Sequence, residues 1–280
     1  MKVEFGFHLL THGNYSFDLL KKMTLKLEEE GFYAVTVGDH FYSTPESYTL
    51  LEADPNKPDK LDAWTVLAAL ASVTNRIRLG TCVSPLPLYH PPRLAKIISA
   101  IDVISNGRVI FGVGAGWVEE EAKAYGYTWD DFKTRVERTE EALNLIIKLW
   151  TEDRTTFKGK YYRVENAPLF PKPVQKPYPP IWFGGANKRI IQLIGKYGDG
   201  WILASYGRWS KHDFLELFRR KIEEVKEAVE EVAAAPTPTK EYVCELCGAV
   251  FTDLDECCEH AEKEHKIAKN ACDMVCSEKR

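Results

Sequence analysis

The sequence predicts an α/β protein: a TIM-type β/α barrel that lacks its last two units, followed by a small ββα zinc finger. Three observations carry this reading. Strand-like and helix-like segments alternate six times before residue 232, which calls for a parallel sheet covered by helices. Polar or glycine-rich residues stand at the end of strand after strand, the layout of a barrel whose chemistry collects at strand C-termini. Six of the seven cysteines fall after residue 240, so the tail is stabilised differently from the body.

The elements follow in order. Residues 3–7 form the first strand. Ser16 caps a helix over 17–30, whose apolar residues recur at helical spacing and which stops at Gly31. Residues 32–37, β-branched and nearly all apolar, are the second strand. Asp62 caps a helix over 63–73, and 76–83 is the third strand. Pro92 opens a helix over 92–104. Residues 108–113 are the fourth strand and 132–150 a long helix. An irregular stretch with six prolines, 151–180, precedes a strand at 181–183 and a helix at 188–196. The last pair is a strand at 200–204 and a helix at 211–232, heavily charged on one face. An open doubly wound sheet competes with the barrel. Its Gly-x-Gly-x-x-Gly turn is absent after the first strand, where His8 to Gly13 stand instead.

The strand ends suggest chemistry. Asp39-His40 follows the second strand, and an imidazole beside a carboxylate serves as general acid or base. An isolated pair of this kind also arises when a loop histidine binds a backbone carbonyl. Gly112, Gly114 and Gly116 alternate off the fourth strand. They thin one face for a flat ligand, or serve close strand–helix packing. Gly184-Gly185-Ala186-Asn187 leads into a helix N-terminus, which suits a phosphate or a tight βα turn. Cys82 reads as a small buried apolar residue rather than a nucleophile, since no cation neighbours it in sequence.

Taken in order, these segments resemble the luciferase-like monooxygenase family of flavin- and deazaflavin-dependent oxidoreductases. The matching runs are 35–41, 79–83, 89–96, 101–108, 111–117, 171–175, 182–185 and 198–201, spread over about residues 3–232. The resemblance implies an eight-stranded barrel and a cofactor, deazaflavin coenzyme F-420 or alternatively FMN. Asp39 and His40 would lie beside the redox ring, with His40 handling the proton. Cys82-Val83 would form a non-proline cis bulge that bends the ring, and Gly184 to Asn187 the phosphate loop. Gly114 joins this cofactor set. Relatives acting on sugar phosphates place a glutamate where Trp117 stands, so a flatter or less charged substrate is expected. Only six strands are counted, which leaves two sheet edges for a homodimer or partner subunit to cover.

The tail carries a metal motif. Cys244-x₂-Cys247, twelve residues, then His260-x₄-His265 is the two-cysteine, two-histidine zinc-finger spacing. A turn offers two thiolates and a helix two imidazoles, closing a tetrahedron around Zn²⁺. Phe251 would pack the small core and Cys257 would replace its usual leucine. Cys258, Cys272 and Cys276 are left over. The domain reading is therefore a barrel over 1–232, a Pro/Ala/Thr linker over 233–240, the finger over 241–267 and a tail over 268–280.

Composition excludes other classes. Net charge is −4, with 45 % hydrophobic and 28 % charged residues. Nucleic-acid binding is not expected, because residues 240–280 hold six basic against ten acidic residues. No apolar run is long enough to span a membrane. The N-terminus lacks a signal-peptide pattern, so a cytoplasmic location is expected. The functional expectation is hydride transfer to or from a small organic substrate. The rivals are an FMN-dependent monooxygenase using O₂ and a non-catalytic binding protein on a truncated barrel.

Overall fold

A computed structural model describes residues 3–11, 15–42, 60–203, 211–234, 242–244, 250–251, 254–265 and 276–278. The chain divides into two compact units, Met1–Val232 and Ala233–Arg280.

The first unit begins with β1 (Gly6–Leu9), α1 (Phe17–Glu29), β2 (Ala34–Val37), α2 (Ala63–Ala71), β3 (Arg78–Thr81) and β4 (Ser84–Pro85). It continues with α3 (Pro91–Ser105), β5 (Val109–Gly114), α4 (Glu119–Ala124), α5 (Phe132–Thr151), β6 (Thr155–Lys158) and β7 (Arg163–Ala167). It closes with β8 (Ile181–Gly184), α6 (Lys188–Tyr197), β9 (Gly200–Ile202) and α7 (Lys211–Ala234). The main sheet runs β1-β2-β3-β5-β8-β9, with the short β4 beside β5. Every ladder in it is parallel, and the register aligns the strand ends: Leu9 pairs with Val37, and Val37 with Thr81. Among the described residues β1 and β9 each pair on one side only, so the sheet is part of a barrel with two open edges.

Local chemistry explains the helices. Ser16 accepts from Leu19 N at 3.3 Å and Asp62 from Thr65 N at 2.8 Å, the caps read from the sequence. Asp131 caps α5 in the same way, through Thr134 N at 2.7 Å. Asn106 ends α3 in the left-handed region, at φ 55°. Buried Leu79, Phe111, Phe183 and Trp150 fill the space between sheet and helices. The Trp150 indole meets Phe111 edge-on at 5.7 Å and donates to Ala95 O at 3.0 Å.

The strand N-termini are tied by polar side chains, of which Glu28, Asp102 and Arg108 are buried. Glu28 accepts from the backbone N–H of Asn75, Arg76 and Ile77, which fixes α1 to the start of β3. Arg108 donates to the carbonyls of Ala71, Thr74, Ile77 and Ser105. Asp102 accepts from Gln175 N and Nε2, and Asp199 from Ile181 N. Three of the eight family-like runs, 101–108, 171–175 and 198–201, therefore serve the end of the sheet opposite the chemistry, where they hold it together.

Several sequence expectations need correction. The first strand starts at Gly6, not residue 3. The strand read over 76–83 is β3 alone and ends at Thr81; past the cis Cys82–Val83 peptide a second short strand, β4, was not read. The stretch read as irregular opens with the antiparallel β6–β7 hairpin, because its prolines begin only after Ala167. The helix α4 was not read, since Glu119, Glu120 and Glu121 hide any apolar period.

The second unit contains β10 (Tyr242–Cys244), β11 (Val250–Phe251), α8 (Leu254–His265) and β12 (Cys276–Glu278). The strands are antiparallel in the order β11-β10-β12, with Tyr242 opposite Phe251 and Cys244 opposite Cys276. Cys257 and Cys258 are buried, and both are disulfide-bonded. That corrects the reading of Cys257 as a plain apolar residue. Of the expected zinc ligands, Cys247 and the side chains of Cys244 and His265 lie outside the described residues. Among the described residues no group of three or more metal-binding side chains converges. No described helix is long and apolar enough to cross a membrane.

Candidate active site

The strand C-termini surround a cavity of about 440 Å³. His40, Cys82, Val83, Gly114, Gly184, Gly185, Ala186 and Asn187 all line it. Eight of the nine residues singled out in the first unit thus meet in one space. Asp39 does not line it.

His40 leaves the end of β2 with its imidazole held from behind. Its Nδ1 lies 2.8 Å from Glu121 Oε2, while Glu121 Oε1 accepts from Phe41 N at 2.5 Å. One carboxylate therefore fixes both the ring and the backbone that carries it. Glu121 is 1 % exposed, and an ionised carboxylate only accepts. With Glu121 ionised, Nδ1 is the donor of this bond and Nε2 the ring atom left to exchange a proton. Trp117 stands edge-on to the imidazole, with centroids 5.7 Å apart at 85°.

Asp39 serves the scaffold next to the cavity. It is 7 % exposed and accepts from Ser84 Oγ at 2.5 Å and from Tyr89 OH at 2.8 and 3.0 Å. Burial pushes its carboxyl up to about 6, against the two hydroxyl bonds that hold it down. It ties the end of β2 to the segment just past the cis Cys82–Val83 peptide. Asp39 also lines a second cavity of about 320 Å³, with Lys60, Asp62 and Tyr127. His40 and Glu121 border both cavities. Burial pulls the Lys60 ammonium down, while Glu121 and Asp39 act to raise it.

The glycines make room for Val83. A Cβ on Gly114 would lie 2.8 Å from Val83 Cγ2, and one on Gly184 would lie 2.9 Å from it. Of the three alternating glycines read from the sequence, Gly114 thus makes room for the Val83 side chain, which forms the cavity floor, whereas Gly112 serves close packing against the Thr81 backbone. Cys82 borders the cavity as a thiol, because burial pushes it up to about 11. Asn187 caps α6 by accepting from Arg189 N at 3.0 Å. The positive end of that helix thus faces the Gly184–Asn187 loop.

Glu121, Ser84, Tyr89 and Lys60 were missed by sequence reasoning. Glu121 lies 80 residues beyond Phe41, whose N–H it binds. Only the run of three glutamates after Trp117 marked it. Ser84 follows a residue that was noticed and Tyr89 stands in the matching run 89–96, but nothing in sequence pairs them with Asp39.

Comparison with known proteins adds to this geometry. The sequence profile of the family described as luciferase-like monooxygenase matches residues 3–267. An F420-dependent glucose-6-phosphate dehydrogenase of Amycolatopsis mediterranei is 33 % identical over 225 residues, covering 80 % of this chain and 62 % of that protein. An F420-dependent hydroxymycolic acid dehydrogenase of Mycobacterium tuberculosis is 30 % identical over 195 residues, 69 % of this chain and 51 % of that one. A solved F420-dependent secondary alcohol dehydrogenase, in complex with an F420-acetone adduct, superposes with TM-score 0.68 at 26 % identity. It matches 84 % of this chain and 66 % of its own. The chain spans about half to three fifths of the length of the curated relatives it matches.

Proposed function

The chain belongs to the luciferase-like monooxygenase family, and on that premise we propose that it is an oxidoreductase that uses deazaflavin coenzyme F-420. It moves a hydride between that cofactor and a hydroxyl- or carbonyl-bearing carbon. The observation that carries the reading is the His40–Glu121 couple at the wall of the cavity that Val83 floors. The F420-dependent relatives support the choice of deazaflavin over FMN.

The residues present fit such a cofactor. The floor at Val83, with Gly114 and Gly184 either side, offers a smooth apolar surface to a flat ring. The Gly184–Asn187 loop and the α6 N-terminus offer backbone N–H groups to a phosphate. When bound, the deazaflavin supplies the carbon that accepts or releases the hydride. His40 Nε2 takes the substrate hydroxyl proton as the hydride leaves. Glu121 steadies the imidazolium so formed and keeps the ring in one orientation. Asp39, Ser84 and Tyr89 hold the bulge in register with His40.

Fluorescence titration with F-420 and with FMN tests the reading. Saturable F-420 binding at about micromolar concentration, tighter than FMN, is expected. Tighter FMN binding supports the monooxygenase instead, and binding of neither supports a non-catalytic protein.

We also propose Zn²⁺ for the second unit, held by Cys244, Cys247, His260 and His265. The support is the strand–strand–helix order of β10, β11 and α8, with two of the ligands on one helix. Bound zinc would contribute folding free energy to a module too small to fold on apolar burial. Metal analysis of the purified chain with and without Cys244→Ser checks it. About one zinc per chain, lost in the variant, is expected. Zinc near zero, with the tail thiols blocked to alkylation until reduction, would establish a disulfide module instead.

A further inference from the structure

We infer that the substrate is an uncharged, apolar alcohol or ketone bearing a flat aryl group, and that Trp117 selects it. This rests on the deazaflavin reading above and narrows it. Among the described residues no lysine or arginine lines the 440 Å³ cavity. Its one carboxylate, Glu121, is committed to His40 and Phe41 N. Arg135 lies outside the lining, 3.9 Å over the Trp129 ring, and donates to Ala115 O and Asp130 O. With the Gly184–Asn187 loop taken by the cofactor phosphate, a phosphorylated or carboxylated substrate would have to leave water for a wall whose described residues hold no fixed cation. That is the costly case for a buried charge.

The wall offers aromatic faces instead. Trp117, Trp129 and Phe132 all line the cavity. Gly116, at φ +76°, turns the chain after β5 so that Trp117 arrives beside His40. Its indole is 46 % exposed, although it belongs to the cavity lining. A substrate whose hydroxyl donates to His40 Nε2 has its carbon substituents within reach of that indole. A flat ring gains both burial and ring–ring contact there. The step balances. The alcohol C–H bond gives its electron pair and hydrogen to the deazaflavin as hydride. The O–H proton passes to His40, and the carbon–oxygen double bond forms, leaving a ketone.

The test uses 1-phenylethanol, acetophenone and glucose 6-phosphate with the parent chain, Trp117→Glu and Trp117→Phe. F-420 binding to the parent is measured first, by fluorescence. Acetophenone binding is measured by saturation-transfer NMR without cofactor, and oxidation by loss of F-420 fluorescence. The parent is expected to oxidise 1-phenylethanol and not glucose 6-phosphate. Trp117→Glu should weaken acetophenone binding about tenfold, and Trp117→Phe about threefold, as expected from losing one aromatic contact. Trp117→Phe keeps the test valid if the glutamate variant does not fold. If the parent binds F-420 but prefers glucose 6-phosphate, or if neither variant weakens acetophenone binding, the inference falls and the functional reading stands. If the parent does not bind F-420, both fall.

Discussion

At the scale of single residues, the site depends on carboxylates that hold other groups in place. His40→Ala should lower kcat by roughly 10²–10⁴, the usual worth of general acid–base help, and leave F-420 affinity within about threefold. Glu121→Gln keeps the shape but removes the charge that steadies the imidazolium. It should lower kcat by about 10- to 100-fold with KM little changed, which steady-state kinetics will separate. Asp39 predicts a pH effect. Its carboxyl sits near 6 because it is buried, so the folded protein binds this proton more tightly than the unfolded chain does. Between about pH 4 and 6 the folded state is therefore the more protonated, and stability falls as pH rises through that window. Above pH 6 the whole penalty is present, at most about 3 kcal/mol for two pKa units. Asp39→Asn removes it but accepts less well from Ser84 and Tyr89. We expect a net gain of about 1 kcal/mol at pH 7 that shrinks below pH 5. Urea unfolding of parent and variant at pH 7 and 4.5 measures this, and a constant difference would reject it.

At the scale of elements, the junction of β3, β4, β5 and β8 decides the shape of the cavity. Val83 fills the places where Gly114 and Gly184 have no side chain. Gly114→Ala would press a methyl group against Val83 Cγ2 at 2.8 Å, and the floor would have to move. Overpacking of this kind costs about 1–3 kcal/mol. We expect a lower melting temperature and at least about tenfold weaker F-420 binding, with far-UV circular dichroism unchanged. Gly114→Ala with Val83→Ala should recover much of the melting temperature, because the clash is with that side chain alone. The six parallel strands and their helices were legible in sequence because apolar runs of period near 2 and 3.6 alternate and caps such as Asp62 mark the boundaries. The β6–β7 hairpin was not legible, since neighbouring prolines suggested loop throughout. Nor was α4, whose glutamates look like a solvated run until Glu121 is seen under His40. A polar residue buried by a partner 80 positions away leaves no local period to read.

At the scale of the whole molecule, the cysteines suggested a division near residue 232, and the contacts divide the chain there as well. The large apolar cluster draws all its buried members from residues 9–228. The first unit therefore has its own core, even with two open sheet edges. On one of them, β1, the Phe7 side chain is 39 % exposed, and Phe5 just before it is 68 % exposed. Such an edge invites a second copy or another chain. Inside the first unit α7 already covers the opposite strand: Trp201 of β9 stacks on Phe218 at 5.8 Å. Gly195 of α6 is needed for close approach to α7, because a Cβ there would lie 2.4 Å from Ala228 O. A chain ending at residue 234 keeps all of these contacts. It should fold with a melting temperature within about 2 °C of the full chain, because the units bury separate cores. Chelation of the full chain should then unfold the second unit alone, seen as proteolysis confined to residues after 234. Loss of the first unit's cooperative unfolding on truncation or chelation would show that the tail substitutes for missing barrel units, and the two-core account would have to be abandoned.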